Sequence, residues 1–194
     1  MSAITLHSPR VASVDHLRSG SASLATQVAG ITAFALLTAL FAQFEIKLYL
    51  WEVPLSLQTV AVYGSGLFLG WRNGLLAMSL YLLLGLFLPF YSGGASGVEH
   101  LFGITGGYLF GFALASAAIG MASRRWNSFA GSALSVVLGS LALFTCGVTV
   151  LHFVAGHESW LTSIQNGWLN FIPWDLTKIA LVATLYTGAR RLTA

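Results

Sequence analysis

The sequence predicts an all-α, polytopic membrane protein: six transmembrane helices in one bundle, with the N and C termini cytoplasmic. Three observations carry this. Charged residues make up 8% of the 194, hydrophobic residues 56%, and mean hydropathy is +0.79. An ordinary soluble domain holds roughly 25% charged residues, and a soluble fold of this size has no interior for so much apolar surface. Apolar runs long enough to cross a bilayer recur, the first lying between Arg18 and Glu45 without a single charge. The basic residues, finally, fall in alternate connections between those runs.

Residues 1–21 read as a polar cytoplasmic tail, mobile or surface-lying, and 22–194 as the membrane domain. The tail lacks the apolar core of a signal peptide, so the first apolar run is expected to stay as a helix. That helix covers about 23–44. Ala25, Ala29 and Ala33 recur on it every four residues, and Ala35 and Ala39 repeat the spacing on another face. Small residues at this spacing let a second helix approach closely, either inside the bundle or from a partner. After the stretch from Glu45 to Glu52 comes Val53-Pro54-Leu55-Ser56-Leu57-Gln58-Thr59. Pro54 pushes Val53 toward an extended conformation, so this reads as a loop dipping into the membrane and leading into a short second helix at 58–69. Such irregular backbone is tolerated at membrane depth where it lines a cavity. Gln58 is a site candidate or a helix-start residue bonding nearby backbone. Gly70-Trp71-Arg72-Asn73-Gly74 predicts a turn, and 75–88 a third helix ended by Pro89. A glycine-rich loop follows at 91–97, then a fourth helix from about Thr105 to Ser123. Arg124-Arg125-Trp126 marks a basic turn. The fifth helix covers 129–154, a weakly amphipathic stretch 161–170, and the sixth helix 173–191.

Arg10, Arg18, Arg72, Arg124, Arg125, Arg190 and Arg191 lie in the tail, the two-three turn, the four-five turn or the C-terminal end. The opposite connections hold one base, Lys47, with Glu45, Glu52, Glu99 and Glu158. Basic residues flank spans on the cytoplasmic side, which orients the bundle. The loops at 55–59, 93–97 and 171–178 then all face outward.

The last of these is Phe171-Ile172-Pro173-Trp174-Asp175-Leu176-Thr177-Lys178. Pro173 suits a first helical turn, and Asp175 then sits where the helix dipole favours an anion. Asp175 and Lys178 share a face at i and i+3, with Trp174 and Lys178 at i and i+4. A charge inside a membrane helix costs about 3 kcal/mol or more and marks a functional site unless the pair merely neutralises itself. Polar groups among aromatics and glycines at the ends of packed helices describe a small-molecule pocket.

Other chemistries are disfavoured. Gly94-Ala95-Ser96-Gly97 resembles the G-x-S-G string of rhomboid intramembrane proteases, but that serine needs a histidine on another helix, and the sixth helix has none among His7, His16, His100, His152 and His157. His152 and His157 are five residues apart and lack a nearby carboxylate cluster on one helical face, which disfavours a metal site. The single cysteine, Cys146, excludes an internal disulfide. No phosphate-binding G-x-x-x-x-G-K motif occurs, and the scattered bases do not form a nucleic-acid surface. No enzyme activity, cofactor or metal is expected.

Four segments in order match one family. Val53 to Thr59 resembles V-P-I/V-T/S-L-Q-T. Leu69 to Gly74 and Tyr81 to Leu86 resemble L-G-x-R/K-x-G and Y-L-L-L-G-L. Gly103 to Phe112 is similar to G-P-T-G-G-Y-L-x-G-F, and Pro173 to Lys178 to P-G-D-x-x-K. These are segments of the BioY family, biotin-specific S components of energy-coupling factor (ECF) transporters. The resemblance implies an S-component-like bundle in a bacterial inner or plasma membrane, binding biotin on its outer side. It implies docking through the first helix, by Ala25, Ala29 and Ala33, onto a membrane scaffold subunit driven by paired ATPases. The sequence leaves open a chain that acts alone, without that module, as a homo-oligomer. The site residues it implies are Asp175, Lys178, Gln58 and Tyr108, with Gly93, Gly94 and Trp174 around them. Where the family loop reads G-G-x-G-G, this chain has Gly93-Gly94-Ala95-Ser96-Gly97. Ala95 offers no polar contact, leaving Ser96, Glu99 and His100 as candidates to replace it. Trp174 and Ile104 stand where the family has glycine and proline. An S component for another vitamin is the nearest alternative and an intramembrane hydrolase a distant one.

Overall fold

The structure is a computed structural model describing residues 15–46, 52–126 and 128–193. Its helices are α1 His16–Ser19, α2 Leu24–Ala42, α3 Gln58–Gly85, α4 Val98–Leu101, α5 Gly106–Ala122, α6 Phe129–Ala155, α7 Trp160–Gly167 and α8 Ile172–Thr193. Two short strands, β1 Glu45–Ile46 and β2 Leu55–Ser56, pair antiparallel with Glu45 opposite Ser56. The expected dipping loop is thus the returning arm of a small hairpin. Lys47, Arg10 and the first fourteen residues of the tail lie outside the described residues.

α3 is a hairpin of two arms. Gly70 adopts φ 73°, ψ −177°, a conformation open essentially to glycine alone. On either side the chain doubles back: Gln58 Nε2 donates to Tyr81 Oη at 2.6 Å, whereas a straight helix would separate those residues by about 35 Å. The predicted turn over 70–74 shrinks to this one residue. Because Gly70 alone takes up the reversal, Trp71 to Gly74 are free to wind as helix. A Cβ on Gly74 would lie 2.3 Å from Ser116 Oγ and 3.2 Å from Ser65 O, so its smallness serves packing. The second arm also ends earlier than the predicted Leu88. The Tyr91 ring fills the space beside Gly85, and Leu86 to Leu88 unwind toward Pro89.

Among the described residues, α2, the two arms of α3, α5, α6 and α8 therefore form six long rods. α2 and α6 are each long and apolar enough to cross a membrane, α5 is a shorter apolar helix, and α3 reaches that length only with its two arms taken together. The arms of α3 are only about 18 and 22 Å long at 1.5 Å per residue, against a hydrocarbon core of about 30 Å. The rods pack through small residues that bring backbones together. A Cβ on Gly107 would strike Cys146 O, and one on Gly139 would strike Ile119. Ser65 and Ser116 hydroxyls meet at 2.7 Å between α3 and α5.

On α2 the two alanine faces separate. Ala35, Ala39 and Ala42 are buried against the bundle, while Ala25, Ala29 and Ala33 are exposed, flanked by exposed Leu24, Val28, Leu36 and Leu40.

The described end of the tail is not loose. Asn73 Nδ2 donates to Leu17 O at 3.2 Å. Arg18 donates to Tyr186 Oη and, at 2.7 Å, to Ser123 Oγ. Asp15 accepts from Arg190 Nε at 2.8 Å and from Tyr186 Oη at 2.9 Å. One end of the bundle thus gathers α1, the Gly70 reversal and the C-terminal ends of α5 and α8. The strands, the glycine loop and the start of α8 gather at the other.

Gly70→Ala should lower the unfolding midpoint in detergent, at a cost of about 1–3 kcal/mol. Gly188→Ala, in open space within α8, should be neutral or slightly stabilising. Equal midpoints for the two variants would remove Gly70 as the pivot.

Candidate functional site

Asp175 stands in the first turn of α8 and is buried at 7% exposure. It is held from two other helices. Tyr63 Oη, on the first arm of α3, donates to Oδ1 at 2.6 Å, and Ser140 Oγ, on α6, donates to Oδ2 at 2.5 Å. Hydrogen bonds to a charged group contribute about 1.5–3 kcal/mol each. An ionised carboxylate offers about four lone-pair positions, so each oxygen keeps one for a ligand.

Lys178 lies one turn further along α8. Its Nζ donates to Ser56 O at 2.7 Å and to Thr59 Oγ1 at 3.0 Å. Among the described residues no ion pair within 4 Å joins it to Asp175. The acid and base are therefore held apart by separate partners, and the ammonium retains one N–H. Gln58 is neither exposed nor a backbone cap. Its Oε1 accepts from Ser56 Oγ at 2.9 Å and its Nε2 binds Tyr81, which fixes β2 to both arms of α3.

These groups line one cavity, with apolar and aromatic walls and a few convergent polar groups, as in small-molecule sites. Asp175, Lys178, Gln58, Tyr108 and Trp174 all border it. Phe112, Phe144 and Phe171 supply apolar wall, and Val53 and Pro54 stand beside the β2 entry. Tyr108 contributes its ring rather than its hydroxyl, because Oη already donates to Gly167 O at 2.7 Å. That ring meets Phe144 edge-on at 6.1 Å, and Phe144 stacks on Trp168 at 6.0 Å. Trp174 is 51% exposed, which places it at the rim.

Gly93 and Gly94 do not border the cavity. They take φ of 66° and 75°, the left-handed region that favours glycine, and so fold the loop that presents its neighbours. Ser92 lines the cavity and donates to Glu45. Tyr91 stacks on His100 at 5.3 Å. Of the three candidates to replace a contact at Ala95, His100 lines the cavity while Ser96 and Glu99 do not.

A polar clasp joins the loops above. His157 Nε2 lies 2.8 Å from Glu52 Oε1, and its Nδ1 lies 2.8 Å from Ser163 Oγ, which also meets His152 Nδ1 at 2.9 Å. Tyr63 and Ser140, the two grips on Asp175, escape sequence reading. Each is a lone hydroxyl in an apolar run, 112 and 35 residues from its partner. The one available signal for Ser140 is its place two turns before Gly147, where small residues recur along α6.

A bundle of apolar helices, closed around a cavity with one acid, one base and aromatic walls, defines a membrane protein built to bind a small molecule. Comparison with known proteins makes this particular. The BioY family profile matches residues 12–194, and the chain belongs to the BioY family. It is 36% identical over 148 residues to the biotin transporter BioY of Thermotoga maritima, covering 76% of this chain and 86% of that protein. It is 30% identical over 161 residues to the biotin transporter BioY2 of Lactococcus lactis, covering 81% and 87%. The crystal structure of the S component for biotin from an ECF-type ABC transporter superposes with a TM-score of 0.80. It covers 86% of this chain and 92% of that one at 23% identity, a likeness of fold.

Tyr63→Phe should destabilise the ligand-free protein by about 1.5–3 kcal/mol, since a buried carboxylate loses a donor. The same change in an Asp175→Asn background should cost markedly less. Equal losses of unfolding midpoint in both backgrounds would show that the Tyr63–Asp175 bond contributes nothing.

Proposed function

We infer that this chain is a biotin transporter, the S component of an ECF-type ABC transporter, and not an enzyme. The observation that carries the reading is the separated acid and base facing one cavity. Biotin's fused head is a neutral ureido ring with two N–H donors and one carbonyl acceptor. Asp175 accepts from a ureido N–H through a lone pair left free by Tyr63 and Ser140. Lys178 gives its remaining N–H to the ureido oxygen. Since no ion pair engages Lys178 with Asp175, this is the better supported of its two roles. Both contacts are charge-assisted and stronger than neutral ones. Phe144, Phe171 and the Tyr108 ring pack on the thiophane ring and chain. The carboxylate tail points away from Asp175, toward Trp174 at the rim.

The site opens on the outer side and both termini are cytoplasmic. This orientation is supported by the arginines at the end of the bundle that gathers α1, the Gly70 reversal and the end of α8. The six rods are then six spans of a bacterial plasma membrane. Ala25, Ala29 and Ala33 dock a scaffold subunit that carries paired ATPases. Their exposure supports this role, while Ala35 and Ala39 serve internal packing.

Asp175→Asn should weaken biotin binding by about ten-fold or more, 1.4 kcal/mol per ten-fold, with the protein still folded. Unchanged affinity by calorimetry would take Asp175 out of the site. In the same titration, a vitamin other than biotin binding more tightly would redirect the reading to another S component. Ala29→Leu should leave biotin affinity unchanged and lower co-purification of the scaffold by about ten-fold, because a bulky side chain blocks close helix approach. Full co-purification of the scaffold would limit that alanine face to contact with lipid.

A further inference from the structure

The end of the bundle opposite the biotin cavity carries a second, open concavity. Arg18 from α1, Arg72 from the second arm of α3 and Arg124 beyond α5 line it, with Gln27, Asn73 and Trp71. Among the described residues, no aspartate or glutamate borders it. Arg18 is held in place by Tyr186 and Ser123. The carboxylate beside it, Asp15 at 3.9 Å, also serves Arg190 at 2.8 Å. Arg72 rests over the Trp71 ring. Among the described residues, neither Arg72 nor Arg124 has a carboxylate within 4 Å.

The backbone adds to the same field. Gly70 interrupts α3, so the second arm begins afresh at Trp71, Arg72 and Asn73, all of which border the concavity. The first amides of a helix lack internal acceptors and lie at the positive end of its dipole. Among the described residues, Asp15 is the one carboxylate within 4 Å of any of these three guanidinium groups, and it is shared with Arg190, so the cluster keeps an excess of positive charge that a further anion would relieve. Guanidinium groups bind phosphate oxygens in a bidentate manner, and an indole ring such as that of Trp71 belongs at the headgroup level of a bilayer.

We propose that this concavity binds a phosphate group, carried by the headgroup of an anionic phospholipid or present as free phosphate. In the orientation given above it faces the cytoplasmic leaflet, where anionic lipids are enriched. The site lies outside the biotin cavity and does not depend on what that cavity holds. A lipid bound there bridges α1, α3 and α5 at the Gly70 reversal.

The test is native mass spectrometry of the full chain with added phosphatidylglycerol or phosphatidylcholine, together with a thermal-shift titration of inorganic phosphate. The wild type should retain phosphatidylglycerol over phosphatidylcholine. The double variant Arg72→Gln/Arg124→Gln should lose that retention by about ten-fold or more, since both guanidinium groups contact the phosphate. Its biotin affinity should stay at the wild-type value, which reports an intact fold and separates this site from the biotin reading. Stabilisation by inorganic phosphate, lost in the double variant without any preference between the lipids, would identify free phosphate as the ligand. Equal retention of phosphatidylglycerol by the wild type and the double variant would overturn the proposal. So would indifference of the wild type to every phosphate source.

Discussion

A single carboxylate buried at the mouth of a membrane bundle constrains the rest of this molecule. Left without partners, Asp175 would cost several kcal/mol. Its position in the first turn of α8 lets the helix dipole meet part of that cost. Tyr63 and Ser140 meet more of it, and each comes from a different helix. The three hydrogen-bonded helices must therefore keep a fixed depth relative to one another. Lys178 imposes a similar condition on the entry loop, because its partners Ser56 and Thr59 flank the point where β2 runs into α3.

The two ends of the bundle follow from this arrangement. At the cavity end, polar side chains are consumed in orienting one another. Ser56 holds Gln58, Gln58 holds Tyr81, and Ser92 reaches Glu45. What remains unspent on Asp175 and Lys178 is available to a ligand with complementary donors and acceptors. At the opposite end, arginines dominate, and the chain start is stitched to the end of α8 through Asp15, Arg18, Tyr186 and Arg190. The same short helix that closes the bundle there also sets one wall of the arginine-lined concavity.

Much of this was legible in the residues. Apolar run length and the Pro-Trp-Asp segment located the helices and the acid, and four ordered motifs pointed to the family. The hairpin in α3 was legible from Gly70, although its tightness was not: nothing in Gly70 to Gly74 says which residue takes the reversal. Tyr63 and Ser140 could not be singled out, because one hydroxyl in an apolar helix reads the same whether it faces a carboxylate or its own backbone. Gly93 and Gly94 were legible as important but not as to why. Their need is conformational, and the cavity is lined by their neighbour Ser92. The anchoring of residues 15–20 was hidden for another reason. A polar segment beside a membrane domain looks unattached until its distant partners are known.

The central claim is that Asp175 receives a ureido N–H while Tyr63 and Ser140 hold it in place. Calorimetric titration of biotin and of its two singly N-methylated ureido derivatives, on the wild type and on Asp175→Asn, tests this most directly. Methylating the nitrogen that faces Asp175 should cost the wild type about ten-fold or more, the worth of one charge-assisted hydrogen bond, and should cost the variant far less. Wild-type affinity undiminished by methylation at either nitrogen, or equal losses in both proteins, would contradict the account.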